Sequence, residues 1–169
     1  MKEISFRDDI LPLKDRLFRL ALRITLNRND AEDVVQETLI RMWNKRGEWE
    51  QMDSIEAYAL TICKNLALDL NAKSERQNVG LDESRDESLS ERTPYEELDS
   101  KQRLEIVRRL IDGLPETQRA IMELRDVEGK SYKEIAEVMQ LSEEQVKVYL
   151  FRARQKVKVQ FSKIEGYGL

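Results

Sequence analysis

The chain has 169 residues, of which 40% are hydrophobic and 37% charged, with a formal net charge of −4. That length suits one ordinary domain or two small ones. The single cysteine, Cys63, excludes an internal disulfide, the lack of histidine or a cysteine cluster argues against zinc, and no apolar run nears the roughly 18 residues of a membrane span. Few Gly and Pro, many Leu, Glu, Lys and Arg, and little β-branched alternation favour an all-α protein. The opening residues, Met1 to Asp9, hold no apolar signal-peptide core, so a cytoplasmic protein is expected. No glycine-rich phosphate loop, metal-ligand cluster or activated nucleophile is evident. No catalytic residue, metal or cofactor is therefore expected, and the chain does not read as an enzyme.

The first predicted helix runs from Leu11 to Leu26, with Leu13, Leu17, Leu20, Ala21 and Ile24 at helical spacing. Asn29 or Asp30 caps a second, with acids in its first turn where the helix dipole favours them. Its core stripe is Val34, Val35, Thr38, Leu39 and Met42. Asp33, Gln36, Glu37, Ile40 and Asn44 lie on the opposite side, with Arg41 beside them. Asn44 to Asp53 reads as a loop holding Gly47 and Trp49. Asp53 or Ser54 starts a third helix reaching about Lys73, with Ala59, Ile62, Cys63, Leu66 and Leu70 inward and Thr61, Lys64, Asn65 and Leu68 on another side.

Charge is segregated along the chain. Residues 76–100 carry a net charge of −5 and residues 101–169 a net of +3. The stretch from Gln77 to Ser100 is polar and acidic and has little to bury, so it cannot offset its ordering entropy and reads as a flexible linker. The expected organisation is a first helical domain over 1–76, an acidic linker over 77–100 and a second helical domain over 101–169.

In the second domain a helix from Gln102 to Asp112 precedes Leu114-Pro115. Proline suits the first turn of the next helix, which runs to about Val127 and stops at Gly129. Ser131-x-x-Glu134 and Ser142-x-x-Gln145 are two capping boxes 11 residues apart. That spacing leaves about two turns of helix and a sharp turn, the form of a helix-turn-helix DNA reader.

The helix that follows, residues 142–158, buries Val146, Leu150, Ala153 and Val157, with Tyr149 at the edge. Its outward arc holds Glu144, Gln145, Val148, Phe151, Arg152 and Gln155, flanked by Lys147, Arg154 and Lys158. Six basic residues and no acidic one lie between Lys147 and Lys163. Arg and Gln can bond base edges, apolar side chains can touch thymine methyls, and Lys suits phosphate. Gln145, Lys147, Val148, Phe151, Arg152 and Arg154 are the candidate DNA-reading residues.

Taken together, these segments resemble a bacterial extracytoplasmic-function (ECF) sigma factor of the sigma-70 family. Residues 30–43, from Asp30-Ala31-Glu32-Asp33 to Met42-Trp43, resemble region 2.2. Residues 58–69, around Cys63-Lys64-Asn65-Leu66, resemble region 2.4. Leu114-Pro115-Glu116 through Arg154 resembles region 4. The chain departs from the family's commoner residues at Tyr58, Cys63 and Tyr149, positions that bear on promoter preference.

The resemblance implies a protein that binds core RNA polymerase, through its β′ clamp helices and β flap, and promoter DNA. Asp33, Gln36, Glu37, Ile40, Arg41 and Asn44 would meet the clamp helices. Trp49, Lys64 and Asn65 would take the −10 element, with an aromatic stacking on a flipped base and an amide bonding its edge. Trp49 reads otherwise as a core aromatic at the loop base. The α-helical reader would contact the −35 element. An anti-sigma partner is also expected, and the apolar set Ile40, Val148 and Phe151 would suit one. The rival reading is a two-domain helix-turn-helix regulator that binds an operator without polymerase.

Overall fold

The computed structural model describes residues 3–77 and 99–165, and among these every regular element is helical. The first half opens with a π-helical turn, Phe6–Ile10, and a 3-10 turn, Leu11–Leu13, where Pro12 takes an early position. Helix α1 is therefore shorter than its apolar periodicity suggested, Lys14–Thr25. It stops because Leu26 adopts a left-handed conformation (φ 56°). Helix α2 spans Arg28–Asn44 and is capped by Asn27, whose side chain accepts from the Asp30 amide. The cap thus lies before both expected candidates, Asn29 and Asp30, which sit inside the first turn.

The expected loop from Asn44 to Asp53 is largely a 3-10 helix, Arg46–Gln51. Helix α3, Ile55–Gln77, begins behind Ser54, whose hydroxyl accepts from the Ala57 amide at 3.0 Å. It runs past the expected end near Lys73. The three helices enclose Leu17, Leu20, Ala21 and Ile24 of α1, Ala31, Val34, Val35 and Met42 of α2, and Ala59, Leu60, Cys63 and Ala67 of α3. Two buried polar groups are satisfied locally. Thr38 donates to the Val34 carbonyl at 2.7 Å, and Cys63 donates to the Leu17 carbonyl at 3.3 Å. Burial pushes the Cys63 thiol up to about 12, so it packs as a small hydrophobe and is not a nucleophile.

In the second half α4 spans Ser100–Asp112, with Asp99 and Gln102 closing a capping box. Helix α5, Glu116–Met122, starts after Pro115 and continues as a π-helical turn, Glu123–Val127. Gly129 ends it in a left-handed conformation (φ +71°) that side-chain-bearing residues seldom adopt. Helix α6 is Tyr132–Met139 and α7 is Glu143–Glu165. Both expected capping boxes form: Ser131 with Glu134, and Ser142 with Gln145, each pair exchanging its two bonds at 2.9 and 3.1 Å. Between α6 and α7, Gln140 makes the sharp turn at φ 58°. Val146, Leu150 and Ala153 of α7 are buried, as are Ile135, Ala136, Val138 and Met139 of α6.

The acidic stretch between the halves lies, apart from its ends, outside the described residues. The sequence left the relative placement of the halves open. In the structure they are docked, with α1 against α5 and α3 against α6, and one apolar core runs through both.

Candidate nucleic-acid interface

Helix α7 presents its outward arc as its sequence period requires. Gln145, Lys147, Val148, Phe151, Arg152 and Arg154 are all exposed, and Phe151 is 68% exposed. Leaving that ring in water forgoes about 2 kcal/mol of burial energy. Two shallow grooves of about 370 Å³ each flank Phe151. One is lined by Tyr132, Lys147, Leu150, Arg154, Gln155 and Lys158, the other by Arg152, Lys156, Val159, Gln160 and Lys163.

Neighbouring elements hold some of these side chains in place. The Arg154 guanidinium is paired with the Asp126 carboxylate, which raises its already high pKa. Lys147 lies 5.5 Å from the centre of the Tyr132 ring, and Arg125 lies 4.4 Å from it. The Gln145 carbonyl closes the α7 cap by accepting from the Ser142 amide, so its NH₂ is the end left for other partners. Asp126 and Tyr132 therefore belong to this surface. Sequence reasoning missed them because they sit on other elements, and neither carries a local signal.

The outward side of α2 is also exposed. Asp33, Gln36, Glu37, Ile40, Arg41 and Asn44 lie on it, with Ile40 54% exposed and Arg41 bonded to Glu37 at 3.1 Å. A further aromatic, Trp43, is exposed beside them. Phe6 meets its ring edge-on at 5.6 Å and the Arg46 guanidinium lies 4.2 Å from its centre. Its position next to Ile40 was legible in sequence, but helical spacing alone did not show that it stays in water.

The third candidate set is placed differently. Trp49 is only 5% exposed and donates its indole N–H to the Met42 carbonyl at 3.0 Å. Its ring meets Trp43 edge-on at 6.4 Å. It is packed as the core aromatic at the loop base, and a flipped base has no access to its face in this arrangement. Of the two readings the sequence allowed, its place in this structure is that of the core aromatic. The physical reason is that a large ring with one donor gains more from burial with its N–H satisfied than from standing in water. Asn65 is exposed, while Lys64 is 3% exposed. The Lys64 ammonium donates to the Asn65 side-chain carbonyl at 2.7 Å and to that of Gln140, from the other half, at 3.2 Å. Burial lowers its pKa, and the charge of Asp69 opposes that shift. Lys64 has no salt-bridge partner among the described residues.

Known families match both halves: Sigma-70 region 2 over residues 10–77 and Sigma-70, region 4 over residues 104–157. The chain belongs to the ECF sigma factors of the sigma-70 family. It is 33% identical over 146 residues to the ECF RNA polymerase sigma factor SigE of Mycolicibacterium smegmatis, covering 85% of this chain and 56% of that one. It thus spans little more than half the length of that relative. To the ECF RNA polymerase sigma factor EcfG of Rhodopseudomonas palustris it is 29% identical over 153 residues, covering 90% and 83%. Its fold is shared with the sigma factor RpoE of Bartonella quintana, solved in complex with the anti-sigma factor NepR. There the TM-score is 0.73 at 25% identity, over 95% of this chain and 98% of that one. In this sigma factor α2 lies within the region 2 match, and most of α7 lies within the region 4 match. Among the described residues no group of acidic, Cys or His side chains could hold a metal, and no helix is long and apolar enough to cross a membrane.

Proposed function

We propose that this sigma factor binds core RNA polymerase and directs it to specific promoters, α7 reading the −35 element and the first half opening the −10 element. One observation carries the reading. The outward side of α7 sets exposed Val148 and Phe151 among six basic residues, with no acidic residue from Lys147 to Lys163. A solvated face needs no apolar side chains at its centre, whereas a major-groove reader uses them on thymine methyls. Arg152, Arg154 and the Gln145 NH₂ would address base edges, and Lys147 would address phosphate.

The α2 face, Asp33, Gln36, Glu37, Ile40, Arg41 and Asn44, would dock on the β′ clamp helices. Its single apolar centre within a polar rim has the composition of a protein interface. The β flap would be met by the second half. Lys64 and Asn65 would hold the −10 strand, with Trp49 fixing the adjoining 3-10 turn. The domains proposed are 1–76 for polymerase binding and −10 melting, 77–100 as the linker, and 101–169 for −35 binding. The protein would perform no catalysis itself, and it would work in the cytoplasm, where the polymerase is. The Bartonella relative's complex with NepR supports an anti-sigma partner here as well, covering apolar groups such as Ile40 and Phe151.

The test is run-off transcription on fragments of the host genome with purified core polymerase. Specific transcripts that appear only when this protein is added are expected. Absence of transcripts and of polymerase binding, together with tight binding to free duplex, would favour the operator-binding regulator instead.

A further inference from the structure

The leading end of α7 carries two exposed acids, Glu143 and Glu144, on a helix whose outward side is otherwise basic and apolar. Helical spacing separates the two. Val146, Leu150 and Ala153 mark the buried side. At 3.6 residues per turn Glu144 stands about 150° around the helix from that side, in line with Val148, Phe151 and Gln155. Glu143 stands only about 50° from it, on the flank with Arg154. Glu144 therefore lies on the side proposed to enter the major groove, one turn ahead of Val148, and a recognition helix meets base edges with its N-terminal residues.

The Glu144 carboxylate is not engaged within the chain. The α7 cap is closed by Ser142 and Gln145, each side chain accepting from the other's backbone amide. Among the described residues the Glu144 side chain makes no hydrogen bond or ion pair, whereas Glu134 at the start of α6 accepts from the Ser131 amide at 2.9 Å. The helix dipole favours an acid in the first turn, and Glu143 meets that preference from the flank. A bare carboxylate on the reading side opposes approach to any polyanion. That cost is offset only where a base edge offers a hydrogen-bond donor. In the major groove cytosine offers its N4 amine alone, adenine sets the N7 acceptor beside its N6 amine, and guanine and thymine offer only acceptors. The adjoining Gln145 has the opposite need, because its carbonyl is held in the cap and its NH₂ seeks an acceptor.

We infer that Glu144 is a specificity-determining residue: its carboxylate accepts from a cytosine amine at one base pair of the −35 element and excludes guanine and thymine there. The inference rests on the reading of α7 as the −35 reader. It adds a residue that acts by rejecting wrong sequences, where Lys147, Arg152 and Arg154 act by attraction.

Holoenzyme assembled from the full-length protein and purified core polymerase is used to select from a duplex promoter library. Each fragment carries a start site mapped by run-off transcription and, in the upstream element, about ten randomised base pairs, one helical turn. Wild type is compared with Glu144→Gln, Glu144→Ala and Glu143→Gln. The last removes the same charge from the same turn but off the reading side, so it separates dipole and net-charge effects from base readout. Circular dichroism melting checks that each variant is folded.

The wild type is expected to enrich cytosine at one position. Glu144→Gln is expected to shift that position toward adenine, which an amide bonds through N6 and N7, by on the order of tenfold in relative enrichment, with the other positions unchanged. Glu144→Ala is expected to level the four bases at that position alone. Glu143→Gln is expected to leave the motif as it is in the wild type. The inference is overturned by a motif that Glu144→Gln leaves intact or weakens equally at every position, by an altered position that did not favour cytosine, or by the same positional change in Glu143→Gln. A wild type that enriches no sequence overturns the promoter reading itself and this inference with it, so the two failures are told apart.

Discussion

The two surfaces proposed for nucleic acid stand in opposite states. On α7 the contact side chains are already in water, Phe151 and Val148 among them, with Arg154 positioned by Asp126 and Lys147 set beside Tyr132. On α3 the corresponding lysine is buried beneath the other half, and the nearby Trp49 is locked into the core. The surface proposed to read duplex is preformed, and the one proposed to hold the strand is packed away. The difference fits what each is proposed to do. Reading a groove needs a rigid helix with its side chains outward. A surface for unpaired bases would offer cations and stacking rings to any polyanion, and this chain keeps them covered.

Substitutions separate the two surfaces because buried groups carry folding energy and exposed ones do not. The largest effect is expected for Trp49→Ala, a loss of about 3–5 kcal/mol of stability by chemical denaturation, since a core ring and a satisfied N–H both go. Trp49→Phe keeps an aromatic ring and removes one of two donors to the Met42 carbonyl, which still accepts from the Lys45 amide at 3.1 Å, for a smaller loss of about 1 kcal/mol. If Trp49→Ala leaves stability unchanged, the ring is not part of the core. Next comes Arg119→Met, which removes a nearly buried guanidinium from the α1 terminus and is expected to cost about 2–3 kcal/mol.

Phe151→Ala is expected to change stability by less than about 0.5 kcal/mol. It should weaken binding to a −35 duplex by about 1 kcal/mol or more while leaving core-polymerase binding intact. Equal loss in both assays would mean that Phe151 supports the fold.

The smallest effect concerns Glu123 at the seam. Burial raises its pKa, Arg23 works against that, and its Oε2 has no hydrogen-bond partner among the described residues. A carboxyl whose folded pKa is raised supports the folded state at low pH and loses that support as pH rises through the folded value. Glu123→Gln is therefore expected to raise the thermal midpoint at neutral pH, with the gain shrinking as pH falls into the carboxylate range. A gain that grows on acidification would contradict this sign.

Most of the fold is legible in local sequence. The paired boxes at Ser131 and Ser142 locate the helix-turn-helix because capping is decided within four residues. The α7 face follows from its period, as does the α2 face around Ile40. The start of α2 is misplaced because Asn27, Asn29 and Asp30 are all competent caps, and the left-handed Leu26 that selects Asn27 leaves no compositional mark. The docked seam is not legible at all. Arg19 and Glu128 are 109 residues apart, and nothing near either names the other. For the same reason the sequence offers Lys64 as an accessible phosphate ligand, and only the tertiary structure buries it.

The contrast between the two surfaces is most directly tested by lysine reactivity in the free, full-length protein. Amine acylation, read residue by residue by mass spectrometry, should modify Lys147 and Lys158 rapidly and Lys64 slowly, with Lys64 accelerated in high salt. Equal rates at Lys64 and Lys147 in low salt would contradict the account, because the α3 surface would then be as open as the α7 surface.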